Sequence, residues 1–130
     1  MSQLDPATLS SGRYTPTTVD HFQHPRNVGK MHDANGFGYV NDPATETTIS
    51  VYVRVDAARV LRASFRTFGC SACVAASSMA TTLVGDRPLA EAQTLSADAV
   101  DEALGGLPPD KRYCAELAAD AMRRALRHSA

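Results

Sequence analysis

Thr67-Phe68-Gly69-Cys70-Ser71-Ala72-Cys73-Val74-Ala75-Ala76-Ser77-Ser78-Met79 is the stretch in which the hydrophobic period of the chain changes. Before it, apolar side chains recur at every second position. After Gly69, small helix-compatible residues run from Ala72 to Val84, with Val74, Ser78 and Thr81 at helical spacing and Gly85 placed to stop the helix. A strand therefore hands over to a helix at Gly69-Cys70. Two of the three cysteines lie at that junction. A thiol is a nucleophile or metal ligand only as thiolate, and the first turn of a helix favours that form through its dipole and free amides.

Upstream, Ile49, Val51, Val53 and Val55 alternate with Thr48, Ser50, Tyr52 and Arg54, the pattern of a half-buried antiparallel strand. Asp56-Ala57-Ala58-Arg59 is short enough to be a turn. Leu61, Ala63 and Phe65 then alternate with Arg62, Ser64 and Arg66, which completes a hairpin. A shorter strand is expected near Phe37 to Val40, with Gly36 and Gly38 read as loop residues leading into it. Further back, Thr18 to Phe22 suits a short helix that Pro25 ends. Residues 1–17, rich in Ser, Thr, Pro and Gly, read as a mobile tail, and residues 18–130 as one domain.

Downstream, Pro88 suits the first turn of a short helix through Ala92, and Ser96 caps another that ends at Gly105-Gly106. From about Pro109 a last helix carries Cys114, Leu117, Ala118, Ala121, Met122 and Ala125 on one apolar stripe, with Cys114 about one turn inside it. The order of elements gives an α+β domain, an antiparallel sheet followed by helices that cover one face.

At 130 residues, 44% of them hydrophobic, the chain suits a single core. A formal charge of −1 offers no general attraction to nucleic acid or to anionic membrane, and no apolar run is long enough to span a bilayer. With no apolar leader, a cytoplasmic location is expected. Three cysteines make a poor disulfide framework, which leaves thiol chemistry or burial. Three thiolates drawn from two helix starts would suit an iron–sulfur cluster, zinc or sulfur transfer. Taken alone, Cys114 on its apolar stripe reads more as core than as ligand, and Cys70 with Cys73 as a redox pair or half a zinc site. His21 and His24, three apart, offer a metal pair or ordinary hydrogen bonding.

Three segments together are more specific. His21-Phe22-Gln23-His24-Pro25-Arg26-Asn27-Val28-Gly29, then Thr67-Phe68-Gly69-Cys70 with Ala75-Ala76-Ser77-Ser78, then Leu107-Pro108-Pro109-Asp110-Lys111-Arg112-Tyr113-Cys114 resemble, in order and spacing, the signatures of the U-type iron–sulfur cluster scaffold family (IscU and the NifU N-terminal domain). The resemblance runs from about Val19 to Leu126. It implies a fold of three antiparallel strands with packed helices. It also implies a scaffold or carrier rather than an enzyme, one that takes persulfide sulfur from a cysteine desulfurase and iron from an iron donor, assembles a [2Fe–2S] cluster and passes it to acceptor proteins.

By position, Cys70 matches the family's middle cysteine and Cys114 the last, the usual sulfur acceptor and ligand. The family's first cysteine falls on Thr45 and its aspartate on Thr47, and a histidine found in many members is Tyr113. Asp110 departs from the segment that an Hsp70-type chaperone reads in the family. Cys73 is extra, standing where the family has a small apolar residue. The expected site is therefore Cys70, Cys73 and Cys114, with Glu46 first among candidates for a fourth ligand, ahead of Asp42 and Tyr113. A cluster shared across a homodimer would supply that ligand instead. The alternatives are a zinc-binding persulfide acceptor serving a desulfurase, and a degenerate homologue without a metal site.

Overall fold

The computed structural model describes residues 13–129. Three strands, β1 (Gly36–Asp42), β2 (Thr47–Asp56) and β3 (Arg59–Phe68), form one antiparallel sheet in the order β1-β2-β3. Helices cover one face, as the α+β reading expects. Strand β2 alternates as its sequence does: Ile49, Val51, Val53 and Val55 are buried and the residues between them are half-buried. Its pairing is continuous with β1, from Gly36 opposite Val53 to Asp42 opposite Thr47.

Strand β3 departs from the simple alternation. The register slips at Arg54/Val55, so that Arg54 faces Arg62 while Val55 faces Val60. Leu61 is the extra residue of this bulge. Val60 is consequently buried and Leu61 is 44% exposed, the reverse of the parity in the sequence pattern. Beyond the bulge Ala63 and Phe65 face the core as expected.

Gly36 and Gly38 are strand residues, not a loop leading into one. The last helix crosses directly over them: a Cβ on Gly36 would lie 2.5 Å from the Ala125 carbonyl oxygen. Only glycine permits that approach of backbone to backbone. It lets the last helix lie flat on β1 and β2.

Helix α1 (Pro16–Gln23) begins earlier than expected. Thr15 caps it by accepting from the Thr18 amide at 3.1 Å, with Pro16 in the first turn. Thr15 and Thr18 also bond the Leu104 carbonyl through their hydroxyls, and Arg13 reaches Asp110 at 2.9 Å. Arg13 to Thr17, assigned to the tail on composition, are thus built into the fold; residues 1–12 of that tail lie outside the described residues.

Helix α2 (Ser71–Val84) contacts β3, α1 and the last helix. Its many small residues allow that, and Ala72, Ala75, Ala76 and Ala80 are all buried. The turn that ends it is made by Asp86 at φ 61, while Gly85 keeps an ordinary φ of −59. Helices α3 (Leu89–Ala92) and α4 (Ala97–Ala103) follow, the second capped by Ser96 as expected and closed by Gly105 and Gly106 at positive φ. Pro109–Lys111 form a single 3₁₀ turn before α5 (Arg112–Arg127). Cys114 therefore lies in the first turn of α5, nearer the helix start than the sequence suggested. Among the described residues no helix is long and apolar enough to cross a membrane.

Candidate metal centre

The three cysteines meet where the starts of α2 and α5 converge. Cys70 is the N-cap of α2, in extended backbone at φ −83 and ψ 172, and Cys73 stands in its first turn. Cys114 comes from the first turn of α5. The Cys70 Sγ lies 3.7 Å from the Cys73 Sγ and 3.6 Å from the Cys114 Sγ, and the last two are 2.8 Å apart. Cys73 and Cys114 are fully buried; Cys70 is half-buried and forms the mouth of the site.

These separations can be compared with what a metal requires. Two thiolates bound tetrahedrally at about 2.3 Å stand about 3.8 Å apart. The two contacts of Cys70 already match, and the Cys73–Cys114 pair must open by roughly 1 Å, a side-chain adjustment within two helix first turns. Before a metal enters, the three thiols share little negative charge. Hydrogen bonding to Cys114 and then to Cys73 holds Cys70 far below the usual thiol range. The bond of Cys73 to Cys114 lowers its pKa, but the bond to Cys70, burial and the Cys70 charge together outweigh that and push it up to about 11. Cys114 is raised furthest, by its bonds to Cys70 and Cys73 and by burial. The arrangement is one thiolate at the mouth backed by two protonated thiols, and metal binding would displace the remaining protons.

Tyr113 places its hydroxyl 3.8 Å from the Cys70 Sγ. Burial first, and the contact with Cys70 second, push its pKa up, so it stays a phenol beside a thiolate.

The strand-loop side of the site looks different. Thr45 is exposed and donates from its hydroxyl to Asp42 at 2.8 Å, closing the turn between β1 and β2. Glu46 is exposed at φ 56 and stands outside the group of donor atoms that lie within 4.8 Å of one another, as does Asp42. Thr47 is buried, and its side chain lies against Gly69, where an added Cβ would be 3.1 Å from the Thr47 Cγ2 and 3.5 Å from the Cys73 Cβ. Thr47 thus packs behind the thiols. Its parity with Ile49 on β2 is the sequence signal for that inward position.

His21 and His24 do not form a second centre. His21 is buried with Nδ1 2.8 Å from the Ser78 Oγ, while His24 is exposed at the C-cap of α1. Ser78 also accepts from the Arg26 amide, and Asn27 donates to Thr81, so the His21–Gly29 segment is tied down along α2. Among the described residues Cys70, Cys73 and Cys114 are the group able to hold a metal.

A family model described as the NifU-like N terminal domain matches residues 13–129. The iron–sulfur cluster assembly scaffold protein IscU 1 of Archaeoglobus fulgidus is 48% identical over 113 residues, covering 87% of this chain and 74% of its own. The corresponding IscU of Azotobacter vinelandii is 38% identical over 119 residues, covering 88% and 91%. Among solved structures, a NifU-like N-terminal protein from Brucella abortus superposes with a TM-score of 0.69 at 16% identity, covering 88% of this chain and 92% of that one. The chain belongs to the NifU-like N-terminal domain family.

Proposed function

We propose that the protein is an iron–sulfur cluster assembly scaffold or carrier whose cluster is held by Cys70, Cys73 and Cys114. The observation that carries this reading is the convergence of three thiols within 4.8 Å in a chain related to scaffold proteins named IscU. Soft thiolates favour iron–sulfur clusters, and a three-thiolate site leaves one coordination position of a [2Fe–2S] cluster for a fourth donor. Tyr113 at the mouth, or a second copy of the chain, is the donor we favour over the exposed Glu46. A site that opens at Cys70 suits a cargo that must be handed on.

Iron and sulfur then come as substrates: sulfur from a persulfide carried by a cysteine desulfurase, iron from a donor, with delivery to acceptor proteins. This is binding and assembly, without turnover of a small metabolite. A reducing compartment such as the cytoplasm keeps the three thiols unbridged. In the segment that resembles a chaperone recognition site, Asp110 is engaged by Arg13, so an Hsp70-type chaperone would have to displace that pair.

Anaerobic reconstitution with iron and sulfide tests the proposal. It should give visible charge-transfer absorption and two irons per cluster site, and Cys73→Ala should lose most of both. Reconstitution without a visible chromophore, or a Cys73→Ala protein with an unchanged spectrum, would sink it. The same thiol spacing also fits zinc. A stoichiometric, colourless metal in the anaerobically isolated protein, retained on treatment with iron and sulfide, would favour the zinc-bearing persulfide acceptor instead.

A further inference from the structure

Cys73 has no counterpart in the ligand set that the resemblance implies, and its position suggests work before any cluster exists. Building on the reading that this site receives persulfide sulfur, we propose that Cys73 is a resolving thiol: it attacks a persulfide formed on Cys70, expels sulfide, and closes a Cys70–Cys73 disulfide.

The geometry points to each part. Cys70 is the thiol at the mouth, half-buried, whereas Cys73 and Cys114 have no exposed surface, so an incoming persulfide donor meets Cys70 first. Cys70 is the N-cap of α2 in extended backbone and Cys73 lies one turn on, with their sulfurs 3.7 Å apart. That is a Cys-x-x-Cys pair at a helix start, an arrangement known for reversible dithiol chemistry. The two are linked by two intervening residues, so their proximity does not depend on how α5 sits. Cys114, where the resemblance would put the sulfur acceptor, has no exposed surface here; it is delivered by a separate helix, 3.6 Å from Cys70 and 2.8 Å from Cys73, and remains a thiol in this scheme.

The chemistry balances without an outside reductant. A donor of the class R–S–SH passes its outer sulfur to the Cys70 thiolate: the donor S–S bond breaks, a Cys70 Sγ–S bond forms, and the donor leaves as thiolate. The Cys73 sulfur, giving up its proton, then attacks Cys70 Sγ. The Sγ–S bond breaks, and the outer sulfur, which still carries the proton it brought from the donor, departs with the electron pair and takes up the Cys73 proton as hydrogen sulfide. One sulfane sulfur is reduced by two electrons while two cysteines are oxidised to one disulfide. The products are sulfide beside Cys114, in the oxidation state that a cluster requires, and a Cys70–Cys73 disulfide that a dithiol reductant must reopen before those two cysteines can serve as ligands.

The test uses metal-free, fully reduced protein, freed of reductant under anaerobic conditions and given one equivalent of cysteine persulfide. Released sulfide is followed with time, and remaining thiols are alkylated and mapped by mass spectrometry. The expected result is one sulfide per chain, loss of two alkylatable thiols, and a bridge between Cys70 and Cys73. Cys73→Ala should keep the added sulfur on Cys70 as a stable adduct and release sulfide roughly tenfold more slowly or less. Thr48→Ala, a change on the open face of the sheet, should release it at close to the normal rate. Normal release from Cys73→Ala, or a bridge mapped to Cys114, overturns the proposal, and the mapping is made on unsubstituted protein so that it stands whatever a variant's folding. If Cys73→Ala, shown to be folded by circular dichroism, takes up no sulfur at all, the persulfide-acceptor reading itself is wrong. Cluster reconstitution from iron and free sulfide is unaffected by either result.

Discussion

His21 shows how one side chain in the first signature can serve the fold rather than the chemistry. Its ring is buried between α1 and α2, with Nδ1 against the Ser78 hydroxyl, and the Arg26 amide donates to the same oxygen. That arrangement suits the neutral ring. Burial, and secondarily the nearby Arg26 charge, lower its pKa, with Asp20 opposing weakly. In the unfolded chain the ring titrates near pH 6.5, about the value of a free histidine. Between that value and its lower folded pKa, the unfolded state binds more protons, so stability rises with pH through this window. The contribution is fully present above about pH 6.5 and is lost as pH falls toward the folded pKa. Urea unfolding at pH 7.5 and pH 5.5 should therefore show a drop that His21→Gln does not share. An equal drop in both proteins would assign it to other groups.

At the level of elements, the hairpin between β2 and β3 carries a strain that its sequence does not relieve. Ala57 and Ala58 form the two-residue connection with φ values of 53 and 60. Two consecutive left-handed residues make the turn type that matches strand twist and that Asn-Gly fits best. An alanine Cβ in that region costs about 1 kcal/mol or a little more per residue. The double variant Ala57→Asn with Ala58→Gly should raise stability by about 1–2 kcal/mol, seen as a higher urea midpoint at unchanged slope. No gain would mean that the turn relaxes in solution. The pair was legible as a turn because it is short and lies between two alternating runs. Its left-handed geometry was not, since alanine advertises no such preference. The bulge at Leu61 was hidden for a related reason: strand parity is readable one strand at a time, whereas a register slip arises only when Val55 pairs with Val60. The start of α1 was missed because Thr15 and Pro16, good cap and first-turn residues, sit in a stretch whose composition reads as a tail.

Across the whole molecule, the site exists because the sheet brings two helix starts together. The strand-to-helix change at Gly69-Cys70 was legible in the period of the sequence, but the meeting of Cys70 and Cys73 with Cys114, 44 positions later, was not; only the resemblance of three separated signatures suggested it. Periodicity says which face of α5 is apolar and nothing about where along the sheet α5 docks. Gly38 sets much of that position. A Cβ there would lie 2.5 Å from the Ala125 amide nitrogen and closer still to the Ala121 carbonyl oxygen, both backbone atoms that no rotamer change can move aside. Gly38→Ala must therefore push α5 off β1 and uncover Val40, Met122 and Ala125, all now buried. The expected cost is about 3 kcal/mol or more, the upper end for overpacking. Because α5 carries Cys114, any folded fraction should also bind metal more weakly than Thr48→Ala, a change on the open face of the sheet well away from α5. Urea unfolding gives the first quantity and anaerobic metal titration the second. A Gly38→Ala protein of normal stability would show that the position of Cys114 is set by contacts other than the crossing of α5 over β1.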